Sequence, residues 1–332
     1  MATRMAAAPA DTDAFCHRAF LYGDRDGFLE GVVGFVREGL ETGAPTLLVL
    51  ARDRLAAVAA EVGIPRGAGE LGPMAPTLAA DGVLLADMAA VGANPARIIP
   101  AWRRFVDAHR APGRRLRGVG EPVWPGRTPT EIVECQLHEA LLNVAFEGEP
   151  FDLLCPYDAG ALPEDVLVEA GHSHPVVGVG ADTSASPHFG LGPWGTGIFD
   201  APLPEPHAPV ERRRFGPGDL GAVRGFVRRR TAAAGLGPRA DEIALAVHEA
   251  AANSVRHGGG DGTCRTWTER GMLVFEITNP GRVCDPLAGR IEPAPDAPGG
   301  RGLWLMNQVC DLVQVRNTAG AVVVRLHVTT PG

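Results

Sequence analysis

The sequence predicts a two-domain α/β protein: an N-terminal, mostly parallel sheet with helices on both faces, then a C-terminal α+β domain. Three observations predict it. The chain has 332 residues, long enough for two ordinary domains. Strand-like and helix-like segments alternate through its first half, the pattern of parallel strands joined by helical crossovers. Residues 188–209, "HFGLGPWGTGIFDAPLPEPHAP", are dense in Gly and Pro and lack periodicity, so they read as a linker. The expected boundaries are 1–185, a linker over 186–208, and 209–332.

Within the first half, "HRAFLYG" (17–23) reads as a buried strand, and residues 26–43 as an amphipathic helix ending at Gly43. "PTLLVLA", "GVLLADM", "RLRGVGEPVW" and "FDLLCPYD" supply further strands. Helices are expected over "RDRLAAVAAEVG", around "NPARIIPAWRRFVDAHR" and over "PTEIVECQLHEALLNVAF". After the linker, "VERRRF" begins a strand and Asp219 caps a helix. A second helix contains "LAVHEAAANSVRH", with Ile243, Leu245, Ala246, Val247, Ala250 and Val255 as its apolar stripe. "VFEITNPGRVCDP" is a strand running into a turn, and "GGRGLWLMNQVCD" is a glycine-rich turn opening a helix. "LVQVRN" and "AVVVRLHVT", joined by "TAG", form a closing hairpin.

Composition narrows the function. A hydrophobic fraction of 45% and a charged fraction of 21% suit a globular protein. No apolar run reaches the roughly 18–20 residues of a membrane span, and the first residues lack a secretory signal's apolar core, so a cytoplasmic location is expected, with no membrane partner. A net charge of −8 argues against direct nucleic-acid binding. Six cysteines without a CxxC pair suggest reduced, buried thiols rather than a zinc knuckle or disulfides. There is no lysine: all 31 basic residues are arginine. That excludes a Walker-A loop, Schiff-base chemistry and the lysine-dependent architecture of eukaryotic-type kinases.

Glu249 and Asn253, at i and i+4, stand over one another on one helical face. Alone they are either a solvated pair or part of a site. Asn-Pro-Gly after a strand and Gly-Gly-x-Gly before a helix are, singly, ordinary turns. In this order and spacing, "HEAAANSVRHG", "TNPG" and "GGRGLWLM" resemble the N-box and glycine boxes of the GHKL (Bergerat-fold) ATPases, specifically the anti-sigma-factor serine kinase branch, over residues 209–330. The resemblance implies a two-layer α+β sandwich binding ATP and Mg²⁺. It makes Asn253 the Mg²⁺ ligand through its amide oxygen and Glu249 the general base. Gly299, Gly300 and Gly302 let the backbone approach the phosphates at a helix N-terminus, and Arg301 adds a charge-assisted contact. Asn279, followed by Gly281, stands where the family usually has an Asp that accepts from the adenine amino group; an amide oxygen makes a weaker bond there. The implied partners are a sigma factor and a STAS-type anti-sigma antagonist, with a homodimer by analogy. A sensor histidine kinase would need a phospho-accepting His on a dimerisation helix. The segment ahead of the ATPase motifs contains His207 in a Pro-rich stretch and no long heptad helix.

Residues 16–176 resemble the MEDS sensory domain through "CHRAFLYGDRDGFLEGVVGFVREGLETGAPTLLVL" and "LLCPYDAGALPEDVLVEAGHSHP". This implies a RecA-like sheet without a P-loop, sensing a small molecule; "YGDRDG" indeed lacks a GK[ST]. Candidate ligand contacts are His17, Tyr22, Cys155, Tyr157, Asp158, His172 and His174, with His17 and Cys155 placed at strand ends, where open α/β sheets bind ligands. His172-Ser173-His174 invites a metal reading, although alternate histidines are ordinarily exposed loop residues. Glu121 reads as either the relic of a catalytic carboxylate or a structural group.

Overall fold

The computed structural model describes residues 14–64, 77–80, 82–180, 182–192, 199–294, 296–297 and 299–331. The chain divides into two compact units, one to Gly195 and one from Thr196.

The first unit runs β1 (Cys16–Tyr22), α1 (Arg25–Thr42), β2 (Thr46–Leu50), α2 (Arg52–Val62), β3 (Thr77–Ala80), β4 (Val83–Asp87), α3 (Met88–Val91), α4 (Ile98–His109), β5 (Leu116–Gly120), α5 (Pro129–Ala145), β6 (Phe151–Asp158), α6 (Glu164–Ser173), β7 (Val176–Val179) and β8 (Asp182–Ala185). Among the described residues its eight strands lie in the order β3-β4-β2-β5-β6-β1-β7-β8. The six inner strands are parallel, and each edge strand is antiparallel to its neighbour. Parallel strands are buried on both faces and therefore read as apolar runs, as "TLLVL" does. Successive side chains alternate between the faces. Phe20, Tyr22, Leu48, Leu50 and Leu154 pack with Phe28, Val32 and Val36 of α1 and Leu55 and Val58 of α2. On the opposite face Trp102 of α4 meets Phe151, and Glu139 of α5 meets His17.

Helix ends follow local chemistry. Asp24 accepts from Gly27 N–H at 2.9 Å to open α1, and Gly43, at φ 66°, closes it. Helix α5 opens with a reciprocal Thr128–Glu131 capping box and Pro129 in its first turn. Strands β3, β7 and β8 and helices α3 and α6 fall outside the elements the sequence predicts.

The second unit comprises β9 (Glu211–Phe215), α7 (Leu220–Ala233), α8 (Ala240–His257), β10 (Gly262–Glu269), β11 (Met272–Pro280), α9 (Arg301–Val309), β12 (Leu312–Thr318) and β13 (Ala321–Thr329). The strands form an antiparallel sheet in the order β12-β13-β11-β10-β9. One face packs on the helices: Leu273, Phe275, Ile277 and Leu326 meet Val223, Val227, Ile243, Val247 and Met306. This is a two-layer α+β arrangement, closed by the β12–β13 hairpin that the sequence suggested. On the other face Glu276, 1% exposed, binds Arg265 at 2.6 Å and Arg325 at 2.7 Å. Those arginines continue to Glu205 and the Pro204 carbonyl, and the Phe199 carbonyl accepts from Asn317 N–H. Residues 199–205, read in sequence as linker, are thus fastened along this sheet; residues 193–198 of that stretch lie outside the described residues.

Three local expectations need correction. Leu245 is 44% exposed because the buried stripe of α8 is Ile243, Ala246, Val247, Ala250 and Ser254, and Leu245 points away from it. Asp219 precedes α7, but its carboxylate accepts from Gly216 N–H in the preceding turn, not from the helix. Cys284 is exposed, whereas the other five cysteines are buried; all six are free thiols.

Candidate functional site: a cleft between α8 and α9

Residues fifty positions apart in sequence meet in the second unit. Helix α8 is polarised by Asp241 and Glu242 in its first turn and Arg256 and His257 in its last. Its stripe buries on the core and leaves Glu249 and Asn253 half-buried at the edge. Helix α9 begins at Arg301 after Gly300, which at φ 85° adopts the left-handed conformation that ends the preceding loop. This brings Gly302 against α8. A Cβ there would lie 3.0 Å from Asn253 Nδ2 and 3.2 Å from Glu249 Oε2, so any larger residue would press both side chains back by a few tenths of an ångström.

Glu249, Asn253, Gly299, Gly300, Arg301 and Gly302 together line a cleft of about 640 Å³, within the usual range for small-molecule sites. The first turn of α9 turns its backbone N–H groups toward the cleft, a ready site for an anion. Sequence reasoning had not singled out Arg256, His257, Glu292, Pro293, Trp304 and Leu305, which also line it. Arg256 donates to Asn253 Oδ1 at 3.2 Å and lies 3.8 Å from Glu249 Oε2. Its place one turn beyond Asn253 was the available signal. The Arg301 guanidinium reaches the Ala294 carbonyl at 3.4 Å. The residues fit a magnesium-bound nucleotide: an oxygen donor, an acid, a helix N-terminus and a glycine cradle share one space.

Asn279 and Gly281 are not on that wall. Asn279, 8% exposed, accepts from Ser254 Oγ at 2.9 Å and donates to the Pro280 carbonyl at 2.7 Å, so its amide is engaged on both sides. Gly281 sits beside the end of α8, near the His257 carbonyl.

In the first unit the sensory candidates separate. Tyr22 ends β1, beside Asp158 at the end of β6. Its hydroxyl donates to Glu121 Oε1 at 2.9 Å, and Arg54 bonds to Tyr22 and lies 2.8 Å from Glu121 and 3.6 Å from Asp158. Burial pushes the Glu121 carboxyl up to about 7, against the pull of Arg54 and Tyr22. This polar group does occupy the carboxyl edge of the sheet. His17 and Cys155 do not: they lie inside β1 and β6, buried with Glu139 and His174. Burial and the neighbouring His174 lower His17 to about 4, although Glu139 opposes them. Tyr157 is buried, its ring edge-on to His174 at 5.6 Å. His172 and His174 diverge at the end of α6. His172 pairs with Glu169 at 2.8 Å, and His174 is wholly buried rather than an exposed loop residue.

Two family models match the chain. The one described as "MEDS: MEthanogen/methylotroph, DcmR Sensory domain" covers residues 16–175, and "Histidine kinase-like ATPase domain" covers residues 215–328. No curated protein matches. The chain joins a sensory domain to an ATPase domain, the make-up of a signalling regulator. In particular, it carries a MEDS domain followed by a histidine kinase-like, ATP-binding domain. Among the described residues, no helix is long and apolar enough to cross a membrane.

Proposed function

We propose that the second unit is a cytoplasmic protein serine/threonine kinase of the anti-sigma type, and that the sensory domain governs which partner it holds. The supporting observation is the meeting of Glu249 and Asn253 with the glycine-opened N-terminus of α9 in one cleft. Asn253 Oδ1 holds the magnesium ion, and the backbone N–H groups from Gly300 to Gly302 receive the phosphates. Bound magnesium supplies charge neutralisation along the triphosphate. Arg301 and Arg256 bring positive charge to the same wall, in a chain without lysine. Glu249 accepts the proton of the attacking hydroxyl, whose oxygen takes the γ-phosphoryl group while ADP leaves.

The partners are a sigma factor, which the unit sequesters, and a STAS-type antagonist, which it phosphorylates. A phosphate added at a packed interface releases the antagonist by repulsion and desolvation. A small ligand in the sensory domain shifts this balance only by binding one conformational state better than another.

Asn279 favours a second reading. With its amide tied to Ser254 and Pro280, it anchors adenine less strongly than a carboxylate would. On that reading the unit is a nucleotide-binding partner switch without phosphotransfer. Incubation with γ-labelled ATP and a STAS-type antagonist separates the two. Acid-stable label on the antagonist that vanishes in Glu249→Ala supports the kinase. ATP binding without transfer supports the switch, and acid-labile label on the protein itself would instead indicate a histidine kinase.

A further inference from the structure

Under α5 and α6, on the face of the first sheet opposite α1, lie four metal-ligating side chains with 0–1% exposure: His17, Glu139, Cys155 and His174. One donor atom from each lies within 4.8 Å of the other three. His17 Nε2 is 3.0 Å from Glu139 Oε2 and 3.4 Å from Cys155 Sγ. Glu139 Oε2 is 3.5 Å from Cys155 Sγ and 3.4 Å from His174 Nε2. Bonds of zinc length, about 2.0–2.3 Å, give a tetrahedron with edges of about 3.3–3.8 Å, close to these separations.

The surrounding hydrogen bonds decide where the ring protons sit. Asn143 donates its Nδ2 to the Ser173 carbonyl at 2.8 Å, which turns its Oδ1 to His17 Nδ1 at 3.2 Å. His174 Nδ1 lies 2.8 Å from the Ala170 carbonyl, which can only accept, and 3.1 Å from Ser173 Oγ, whose own hydrogen reaches the Glu169 carbonyl at 3.3 Å. Both Nδ1 atoms therefore donate, and in neutral rings both Nε2 atoms present lone pairs to the carboxylate. Apart from the Cys155 thiol, which reaches Glu139 Oε2 at 3.5 Å, acceptors thus face acceptors in a place shut off from water. Glu139 Oε1 and His174 Nε2 have no hydrogen-bond partner among the described residues. Such an arrangement is costly unless a cation lies among the donors.

We propose that His17, Glu139, Cys155 and His174 bind one divalent transition metal of the zinc class. Two imidazoles and a thiolate select zinc-like ions over magnesium or calcium. Thiolate and carboxylate cancel the ion's two charges, so the filled site is neutral inside the core. On binding, the Sγ–H bond breaks, its proton passes to solvent, and an Sγ–metal bond forms without redox change. Four protein ligands and no exposure make this a closed site, filled as the unit folds. It ties α5 and the end of α6 to β1 and β6, so the sensory unit's integrity depends on metal supply.

Metal analysis of the full-length protein tests the proposal. About one zinc per chain is expected, falling to about a tenth or less in Cys155→Ala and in His174→Ala. Refolding the wild type with cobalt(II) as sole metal should give tetrahedral visible bands and a thiolate-to-cobalt charge-transfer band, the latter absent in Cys155→Ala. Should those variants fail to fold, X-ray absorption of the zinc-loaded wild type decides: one sulfur and three nitrogen or oxygen neighbours are required. A shell without sulfur, or wild-type protein that refolds in excess zinc and retains none after desalting, overturns the proposal and leaves a buried hydrogen-bonded cluster.

Discussion

The two units each gather an acid with nitrogen-bearing side chains, but they bury them differently. In the first, the side chains of His17, Glu139 and His174 have no exposure. In the second, Glu249 keeps 27% of its side chain exposed and Arg256 keeps 58%, beside a cleft open to a ligand. Burial separates the two proposed tasks. A sealed acid is held in one state by its partners and suits a permanent ligand, whereas a half-open acid can meet, deprotonate and release a substrate.

Substitutions can break or sharpen that contrast. The largest effect is expected for Glu249→Gln: label transfer to the antagonist falls about 10²–10⁴-fold, while ATP binding, followed by titration calorimetry, stays within about twofold. If the half-open acid is no base, transfer survives. The next concerns a buried carboxyl in the first unit. Glu121 has a folded value of about 7 against an ordinary 4.5. Between those values the folded carboxyl keeps a proton that the unfolded chain has lost, so stability from this group falls as pH rises from about 4.5 to about 7. The loss is at most about 3 kcal/mol. Thermal melts of wild type and Glu121→Gln across that window should show a slope in the first that is flattened in the second.

Gly302→Ala places a methyl against Asn253 and Glu249 and should weaken ATP binding about tenfold, roughly 1.4 kcal/mol; circular dichroism should show the fold intact. The smallest effect belongs to Asn279→Asp. It keeps the bond from Ser254 but loses the donor to the Pro280 carbonyl, setting two acceptors face to face at a cost of about 1 kcal/mol in chemical denaturation.

Legibility in the sequence follows the same division. Helix α1 was readable because its apolar period, the glycine after it and its burial agree. Strands β7 and β8 have four residues each, too few for a period, and "DTSA" at the sheet edge has no apolar residue but its last. The cleft was legible because its parts are short motifs, each with a constrained backbone. Arg256 escaped because an arginine in the last turn of a helix is common. Glu139 escaped for a stronger reason: a glutamate within "ECQLHEALLNV" looks like one more solvated position, and charged residues are almost never fully buried unless paired. Its partners come from β1, β6 and the end of α6, so no spacing in the chain announces them. Asn279 was found by position, yet its commitment to Ser254 shows only in three dimensions.

The most direct test is titration of the full-length protein and its Asn253→Ala variant with ATP in the presence and absence of Mg²⁺. The account predicts saturable one-to-one binding that depends on Mg²⁺ in the wild type and weakens about 100-fold, roughly 2.7 kcal/mol, in the variant. Equal affinity in the two proteins would contradict it.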